Sequence, residues 1–585
     1  METNEKQLTG YPSIDKPWLK YYSENKRGFT IPNCSVYEFM RKNNSDNMDF
    51  TALHYFGTNI SYRQFISRVD ECAKSFVALG IKRGDIVSFV NPTTPEIYYA
   101  FYALNKLGAV GNMIDPRTNA SRIEEFIFNT DSSIVFYIDI SFPKIKDTLN
   151  NKKIKKAISI SASDSLGGVA KLVYKVKNKI PKDIPENDKF INWKQFVALG
   201  TNLNEQYEET SDWIDLPAGI IYTSGTTGIP KGAVISNRNM LAMYFQCDCA
   251  EIGWDKKDTF LGIMPPFIAY GLVCGFIVPV CIGMKTVIIP KFVENDFYKY
   301  ILKYKPNHIM GVPSHIEKLS INPQLNKTDL SFFKTVIVGG DKLNSTLEIQ
   351  INDFLKKQNS KCKVMKGYGL SEISSCAVLT ISDECNKNGS IGVVFIHDNI
   401  KVINSDTNEE LSYNQVGEIC LTGPTMISGY WKNEEENKKE FKNENGEIWV
   451  HTGDRGYIDD DGVVFFSDRL KRIIVRSDGH NVWPSESESI IEKNPDIEGC
   501  CVIGVKDKSA DHGDVVTAFI SIKKNCTKSS DEVIESIKQE LLSKMPTRDV
   551  PLQYYVIDKL PLSNVGKVDY RALEKMAEEM ERDKS

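Results

Sequence analysis

The sequence lacks the cysteine spacing of a zinc site or a disulfide framework. Its 13 cysteines contain no repeated Cys-x-x-Cys pair, and the close pairs at Cys247 and Cys249 and at Cys500 and Cys501 stand alone. Residues 1–6 are polar and charged, and they lack the apolar core of a signal peptide. We therefore expect a reduced protein in the cytoplasm.

The sequence also lacks an excess of basic charge and an uninterrupted apolar span. Its net charge of −5 gives no general attraction to nucleic acid, so we expect no nucleic-acid partner. Phe260–Met284 carries no charged residue and is long enough to cross a bilayer, but Pro265, Pro266 and Pro279 interrupt it. We predict a buried helix between strands here and no transmembrane span.

The composition is that of a soluble globular protein, with 41% hydrophobic and 25% charged residues. A chain of 585 residues exceeds one ordinary core, so several compact units are expected. Strand patterns such as Ile86–Val90 and Ile134–Ile138 alternate with helical patterns such as Pro95–Leu107. This alternation predicts an α/β protein whose large N-terminal domain contains parallel sheets.

The pattern changes toward the C-terminus. Short strands over about residues 393–468 predict a small β-rich subdomain, and a smaller, mobile α+β domain follows. We place the domains at residues 1–470 and 471–585. Ser165–Ile180 has an apolar helical stripe with lysines elsewhere, which favours packing on its own domain, with weak peripheral membrane contact as the alternative.

The most distinctive stretch is a loop after the apolar run Ala218–Ile221. It reads Thr223-Ser224-Gly225-Thr226-Thr227-Gly228-Ile229-Pro230-Lys231. Backbone N–H groups, hydroxyl groups and one ammonium group are suited to binding phosphate oxygens, so a phosphate-binding loop is predicted. The loop lacks the Gly-Lys-Ser/Thr ending of a P-loop, which argues against an ordinary kinase or GTPase. A solvated glycine turn is the alternative.

Further motifs follow this loop in a fixed order. They are Gly367-Tyr368-Gly369-Leu370-Ser371-Glu372, His451-Thr452-Gly453-Asp454, Asp468-Arg469-Leu470-Lys471, Gly479-His480-Asn481-Val482-Trp483-Pro484-Ser485-Glu486 and Leu560-Pro561-Leu562-Ser563-Asn564-Val565-Gly566-Lys567. With the loop, they resemble the adenylate-forming superfamily, which includes acyl-CoA synthetases, 4-coumarate-CoA ligases, luciferases and peptide adenylation domains. The resemblance covers nearly the whole chain.

The resemblance implies a two-step ligase that uses ATP, Mg²⁺ and coenzyme A. A carboxylate attacks the α-phosphorus of ATP to give acyl-AMP and pyrophosphate, and a thiol then displaces AMP. The implied partners are a small carboxylic acid and coenzyme A. The implied alternative is an acyl or peptidyl carrier protein acting in trans, because no carrier serine motif follows Lys567.

The resemblance also assigns residues. It implies catalytic roles for Lys567, Glu372 and Thr226, with Glu372 as the Mg²⁺ ligand; from the residues alone, a capping role for Glu372 would be equally favoured. The implied nucleotide-binding residues are Thr223, Ser224, Gly225, Thr226, Thr227, Gly228, Lys231, Gly339, Gly340, Gly367, Tyr368, Gly369, Ser371, Asp454 and Arg469. Lys471 corresponds to the hinge between domains, and Gly479 to the thiol tunnel.

The expected acyl pocket contains Phe267, Ile268, Tyr270, Gly271 and Gly311. Ile268 stands where many members have histidine, and it cannot pair with an α-ammonium group, which disfavours an amino acid substrate. Lys366 and Asp341-Lys342 also depart from the usual residues. The apolar wall favours a medium or long fatty acid, and an aryl acid is the alternative.

A third reading is a non-catalytic acyl or nucleotide sensor that has kept the fold. It is disfavoured because Lys231, Glu372, Asp454, Arg469 and Lys567 are all present together. We therefore predict an AMP-forming acyl-CoA synthetase.

Overall fold

The computed structural model describes residues 8–167, 171, 174, 181, 183–201, 203, 214–223, 230–478, 480–506, 513–562 and 568–582. A seven-stranded sheet carries much of the N-terminal part. Its strands, in spatial order, are Phe190–Asn192, Lys156–Ile160, Ile134–Ile138, Ile86–Val90, Val110–Ile114, Pro217–Tyr222 and Gly232–Ser236. All neighbours pair in parallel except the last two strands, which form an antiparallel pair on either side of the predicted phosphate loop.

A second, nine-stranded sheet has a parallel centre and antiparallel ends. In spatial order its strands are Val393–Val394, Val378–Leu379, Val364–Tyr368, Thr335–Gly339, His308–Gly311, Thr259–Gly262, Lys285–Ile288, Thr51–Tyr55 and Thr58–Ser61. Buried β-branched runs such as Thr335–Gly339 form its centre, as expected for parallel strands covered on both faces.

The remaining described strands form three smaller sheets. The β-rich sheet contains Asn399–Ile403, Gly417–Thr422, Glu447–Ile458, Phe441–Glu444 and Val464–Arg469. After the short turn Leu470–Arg472 come the pair Ile474–Val475 and Asn481–Val482, and the three strands Ile497–Lys506, Asp514–Ile522 and Gln553–Val556. The α/β class with a large domain of parallel sheets and a smaller C-terminal domain is confirmed, whereas the boundary at Lys471 stays a prediction.

Helices cover and separate the sheets. In the described part of the chain, the α-helices are Pro12–Asp15, Val36–Asn43, Tyr62–Ala78, Pro95–Leu107, Ala120–Asn129, Phe142–Asn150, Trp193–Leu199, Asn237–Cys249, Val278–Ile282, Phe297–Tyr304, Pro313–Ser320, Ser345–Lys357, Glu434–Glu440, Pro484–Ile491, Ser530–Lys544 and Tyr570–Arg582. The predicted helix at Ser165–Ile180 falls mostly outside the described residues, which include only Lys171 and Tyr174 of its lysine-rich part.

The largest core cluster joins the two large sheets. Every residue of the helix Pro95–Leu107 is buried, and the ring of Tyr98 stacks on Phe276 with centroids 3.6 Å apart. Phe276 belongs to the π-helix Tyr270–Ile277, which continues into Val278–Ile282. The uncharged stretch Phe260–Met284 is thus a strand followed by buried helices, and no helix in the described part of the chain is suited to span a bilayer.

Asp398 connects the β-rich sheet to this core. Its carboxylate is buried and accepts a hydrogen bond from the Thr425 hydroxyl, with 2.9 Å to each oxygen. Burial raises the pKa of Asp398 to about 7, although the bond from Thr425 opposes the rise. The folded protein therefore keeps a proton on Asp398 at pH values where the unfolded chain has released it.

Asp398→Asn should weaken the pH dependence of stability. Because the pKa is higher in the folded state, the free energy of unfolding of the native protein falls as pH rises from about 4 to about 7. The amide does not titrate, so we expect the loss between about pH 5 and pH 8 to shrink by more than about 1 kcal/mol. Urea unfolding at both pH values measures this change. The exposed Asp406→Asn is the matched control, and an equal pH dependence in all three proteins would contradict the assignment.

Candidate active site

Asp454, Arg469 and Tyr368 meet where the nine-stranded sheet borders the β-rich sheet. Asp454 and Arg469 are opposite each other on antiparallel strands, and Arg469 Nε lies 3.2 Å from Asp454 Oδ1. Tyr368, at the end of its strand, donates a hydrogen bond from Oη to Asp454 Oδ2 at 2.8 Å. The charge of Asp454 raises the pKa of Arg469. A buried carboxylate held in this way can accept hydrogen bonds from two neighbouring hydroxyl groups.

Glycine backbone forms a flat wall beside Tyr368. Gly339 and Gly367 are opposite each other on neighbouring parallel strands, and Gly340 has a φ of 83°. A Cβ atom at Gly369 would lie 1.8 Å from the carbonyl oxygen of Ser375, so only glycine fits there. A planar ring can therefore lie close against this backbone.

Lys231 and Glu372 lie in one buried network through Tyr430. The Tyr430 hydroxyl lies 2.5 Å from Glu372 Oε1 and also contacts Glu440. The Lys231 ammonium is 3.1 Å from Glu436 Oε2, contacts Glu440, and lies 4.4 Å from the centroid of the Tyr430 ring. Burial raises the pKa of Glu372, and the bond from Tyr430 opposes the rise. The network places a cation and a hard oxygen ligand side by side, as a metal-bound polyphosphate requires.

The base of the predicted phosphate loop adds a donor to this region. The Thr223 N–H donates to the carbonyl of Lys231 at 2.9 Å and closes the hairpin below the loop. The Thr223 hydroxyl is buried and has no hydrogen-bond partner in the described part of the chain, as expected of a group that binds a ligand. The predicted residues Ser224, Gly225, Thr226, Thr227 and Gly228 lie outside the described residues, as do Gly479 and Lys567.

Tyr430, Glu436 and Glu440 were missed by the sequence reasoning. The backbone of Gly429–Trp431 pairs with the strand after the phosphate loop, through Val234 N–H to Gly429 O at 3.1 Å, and this places Tyr430 beside Lys231. The acidic helix Glu434–Glu440 then turns back over the lysine. A run of glutamates that begins three residues after Trp431 was the available signal, but this run is equally typical of a solvated helix.

Tyr430→Phe should weaken metal-dependent activity about tenfold. Without the hydroxyl, Glu372 and Glu440 lose their shared donor and repel each other, so Glu372 is held less well. If Glu372 binds Mg²⁺ and the chain forms acyl-AMP, as the resemblance implies, half-maximal exchange of pyrophosphate into ATP should need a higher Mg²⁺ concentration. Tyr457→Phe is the control, because its ring stacks on Phe465 away from this network. An unchanged Mg²⁺ dependence would contradict a role for the hydroxyl.

A cavity borders the glycine wall. Its lining is mostly apolar and comes from distant parts of the chain: Met243, Cys247, Ile252, Trp254, Tyr270, Cys274, Met310, Ile337, Gly339, Gly340, Gly367, Tyr368, Gly369, Ser375, Cys376, Leu379 and Phe395. Such a lining suits an apolar ligand with its polar end at the wall.

Only one of the five residues predicted for the acyl pocket lines this cavity. Tyr270 lines the cavity, whereas Phe267, Ile268, Gly271 and Gly311 are not among its lining residues. Phe267 lies under the guanidinium group of Arg117, 5.2 Å from the ring centroid. A Cβ atom at Gly271 would lie 1.8 Å from the carbonyl oxygen of Pro265, so this glycine permits close packing of the π-helix.

Lys366 and the pair Asp341-Lys342, which also differ from the residues usual in the family, do not line the cavity. The Lys366 ammonium is 3.0 Å from both carboxylate oxygens of Glu348 in a buried pair. Asp341 and Lys342 are exposed and face the C-terminal domain, where burial raises the pKa of Glu492 to about 7 and the charge of Lys342 opposes the rise.

The C-terminal domain places residues beside Arg469. Leu562 and Val568 form an antiparallel bridge at the base of the segment that contains Lys567. The ring of Tyr570 lies 4.8 Å from the Arg472 guanidinium, and Tyr570 also contributes to the raised pKa of Arg469 after the larger effect of Asp454. Of the other predicted residues, Ser371 lies in the turn Ser371–Ile373 with Glu372, and the backbone of Lys471 lies in the turn Leu470–Arg472.

Two family models match the sequence. The model described as AMP-binding enzyme matches residues 40–431, and the model described as AMP-binding enzyme C-terminal domain matches residues 486–567. Among curated proteins, a long-chain-fatty-acid–CoA ligase of Bacillus subtilis is 27% identical over 570 residues, which cover 95% of this chain and 97% of that protein. The 4-coumarate–CoA ligase 1 of Petroselinum crispum is 27% identical over 520 residues and 88% of each chain.

Solved structures share the fold. ATP-bound MatB from Rhodopseudomonas palustris superposes with a TM-score of 0.78 at 23% identity, covering 93% of this chain and 99% of that chain. An anthranilate CoA ligase, AuaEII, in complex with anthranoyl-AMP superposes with a TM-score of 0.76 at 18% identity, covering 94% and 98%.

Proposed function

Because the chain belongs to the family of AMP-binding enzymes, we propose that it is an AMP-forming acyl-CoA synthetase for an apolar carboxylic acid. One observation carries this proposal. Three features lie at or beside the wall of Gly367, Tyr368 and Gly369. Asp454 accepts a hydrogen bond from Tyr368, and the apolar cavity is lined by the wall itself. The Lys231–Glu372 network begins three residues after Gly369. This arrangement supports neighbouring binding sites for a ribose, a polyphosphate and an acyl chain.

In the first step, a carboxylate oxygen bonds to the α-phosphorus of ATP, the bond to the bridging oxygen breaks, and pyrophosphate leaves. Asp454 binds the ribose hydroxyl groups, and Thr223 and Lys231 bind the outgoing phosphates. Glu372 would hold Mg²⁺, which would supply positive charge to offset that of the phosphate oxygens. Lys567 bridges the two reacting anions.

In the second step, the thiol of coenzyme A attacks the acyl carbon and AMP leaves. We assign Lys471 to the hinge that moves the C-terminal domain between steps, and Gly479 to the path of the pantetheine arm. A fatty acid is the preferred acid, because the cavity walls carry aliphatic and sulfur-containing side chains, and Trp254 and Phe395 supply aromatic surface. The relatives above are named for both long-chain and aryl acids.

A panel of carboxylic acids tests the proposal. Acid-dependent exchange of labelled pyrophosphate into ATP should occur with fatty acids, and added coenzyme A should give an acyl thioester. Transfer to a carrier-protein phosphopantetheine in place of coenzyme A would identify the alternative acceptor. If no acid in a broad panel supports this exchange, the enzymatic function is refuted.

Trp254→Ala should shift the preferred acid toward longer chains. Trp254 lines the cavity, and its indole Nε1–H donates to Thr335 Oγ1 at 3.1 Å, which fixes the ring. Removing the ring enlarges the cavity, and each added methylene can then gain up to about 0.8 kcal/mol of burial. The ratio of kcat/KM between long and short acids measures the shift. The control variant Thr335→Val keeps the indole ring but removes the oxygen that accepts its hydrogen bond. An unchanged kcat/KM ratio in Trp254→Ala would exclude Trp254 from the acyl site.

A further inference from the structure

A second group of chemically active side chains lies on the β-rich sheet, outside the cleft. Glu418 and Cys420 are two residues apart on the strand Gly417–Thr422 and therefore share a face. His451 is directly opposite Cys420 on the neighbouring antiparallel strand. One ligand atom from each of the three side chains lies within 4.8 Å of the others; Glu418 and Cys420 are buried, and His451 is nearly so, with 9% of its surface exposed.

The separation of these atoms suits a shared metal ion. His451 Nδ1 lies 3.5 Å from Glu418 Oε2. Two ligands on one tetrahedral ion with bonds of about 2.1 Å stand about 3.4 Å apart, so little movement is needed. A glutamate oxygen, an imidazole nitrogen and a thiol sulfur together form a donor set that zinc accepts.

The other ring nitrogen of His451 is already oriented. His451 Nε2 lies 3.1 Å from Glu444 Oε1, and Glu444 is in turn paired with the Lys401 ammonium. A carboxylate that accepts the Nε2 proton leaves the Nδ1 lone pair facing Glu418 and Cys420. Lys401 also lies opposite Cys420 on its second neighbouring strand, 4.3 Å from the centroid of the Trp449 ring. Burial and the charge of Glu418 raise the pKa of the Cys420 thiol, and the charge of Lys401 opposes the rise.

We propose that Glu418, Cys420 and His451 bind one Zn²⁺ ion, with water as the fourth ligand. This site is separate from the Mg²⁺ site assigned to Glu372. Zinc binding displaces the proton of the Cys420 thiol into solvent. Glu444 and Lys401 are positioning residues, since they orient the imidazole without contacting the ion.

The ion stands directly behind the turn that presents Asp454. Glu418 Oε1 accepts the N–H of Gly453 at 2.9 Å, and the Thr452 hydroxyl accepts the N–H of Asp454 at 3.0 Å and donates to Ile419 O. An ion that fixes Glu418 therefore also fixes this turn. Zinc should therefore raise the affinity for ATP by about threefold to tenfold. This effect on ATP rests on the proposed function, whereas the binding of zinc is independent of it.

Cobalt(II) tests the site without any assay of activity. The full chain, freed of metal by a chelator, should bind one equivalent of Co²⁺ and show a thiolate-to-cobalt charge-transfer band that added Zn²⁺ removes. The Zn²⁺ Kd obtained by competition should be below about 1 µM. Absence of the band in the wild-type protein would overturn the proposal, and no variant is needed for that result.

Variants locate the ion. Cys420→Ser should abolish the band, and His451→Gln should weaken Zn²⁺ binding about a hundredfold, whereas Glu444→Gln should weaken it about tenfold. The half-buried Cys362→Ser is the matched control and should keep both band and affinity. A band that persists in Cys420→Ser would place the metal elsewhere and overturn the assignment.

Calorimetry with ATP alone tests the link to the turn. The wild-type protein should bind ATP several-fold more tightly with zinc than without it, and Cys420→Ser should show one affinity in both conditions. Equal affinities in the wild-type protein, together with a normal cobalt band, would refute the link while leaving the metal site in place. Absence of ATP binding under both conditions would instead refute the proposed function.

Discussion

Lys567→Ala should lower the rate of acyl-AMP formation by about a thousandfold and barely change thioester formation from preformed acyl-AMP. In the proposed mechanism, the ammonium offsets the repulsion between the attacking carboxylate and the α-phosphate, a contribution that matters only while the two anions approach. In the second step a thiol attacks an already activated carbonyl carbon. The two half-reactions, measured separately by pyrophosphate exchange and by consumption of synthetic acyl-AMP, should therefore respond differently.

The neighbours of Lys567 support this expectation. The bridge between Leu562 and Val568 encloses the segment that contains the lysine, and Tyr570 acts electrostatically on Arg469, the partner of Asp454. The base of this segment thus lies near the ribose end of the cleft. The exposed Lys559→Ala is the matched control and should leave both half-reactions intact. Equal losses of the two half-reactions in Lys567→Ala would refute the assigned role.

Asp454→Asn should raise the Kd for ATP about a hundredfold. The carboxylate can accept both ribose hydroxyl groups, and charge-assisted hydrogen bonds contribute about 1.5 kcal/mol or more each, so losing two costs about 3 kcal/mol. The amide keeps the shape and one acceptor for Tyr368, but it leaves Arg469 without its charge partner. Most of the effect should therefore appear in nucleotide binding.

2′-Deoxy-ATP distinguishes ribose binding from general damage. The wild-type protein should bind this analogue at least about tenfold more weakly than ATP, while Asp454→Asn should bind both nearly equally, because the contact is already absent. The exposed Asp460→Asn, in the turn of the same hairpin, should behave like the wild type. Full discrimination between the two nucleotides by Asp454→Asn would show that Asp454 does not contact the ribose.

Several elements were predictable from local sequence. Alternating strand and helix patterns predicted the α/β class, and the broken apolar stretch Phe260–Met284 predicted buried helices beside a strand. The motifs containing Gly367–Glu372 and His451–Asp454 were visible because each needs particular residues within a few positions. Close backbone approach demands glycine at Gly369, for example, whatever the rest of the chain does.

Tertiary structure alone decided which distant side chains meet. Strand pairing after the phosphate loop puts Tyr430 and Glu440 on Lys231, and strand register puts His451 opposite Cys420. The cavity is lined by residues as far apart as Met243 and Phe395, while four of the five predicted pocket residues do not line it. Local sequence encodes backbone conformation and the nearest hydrogen bonds, but register and sheet packing depend on the whole chain, so these contacts exist only once it has folded.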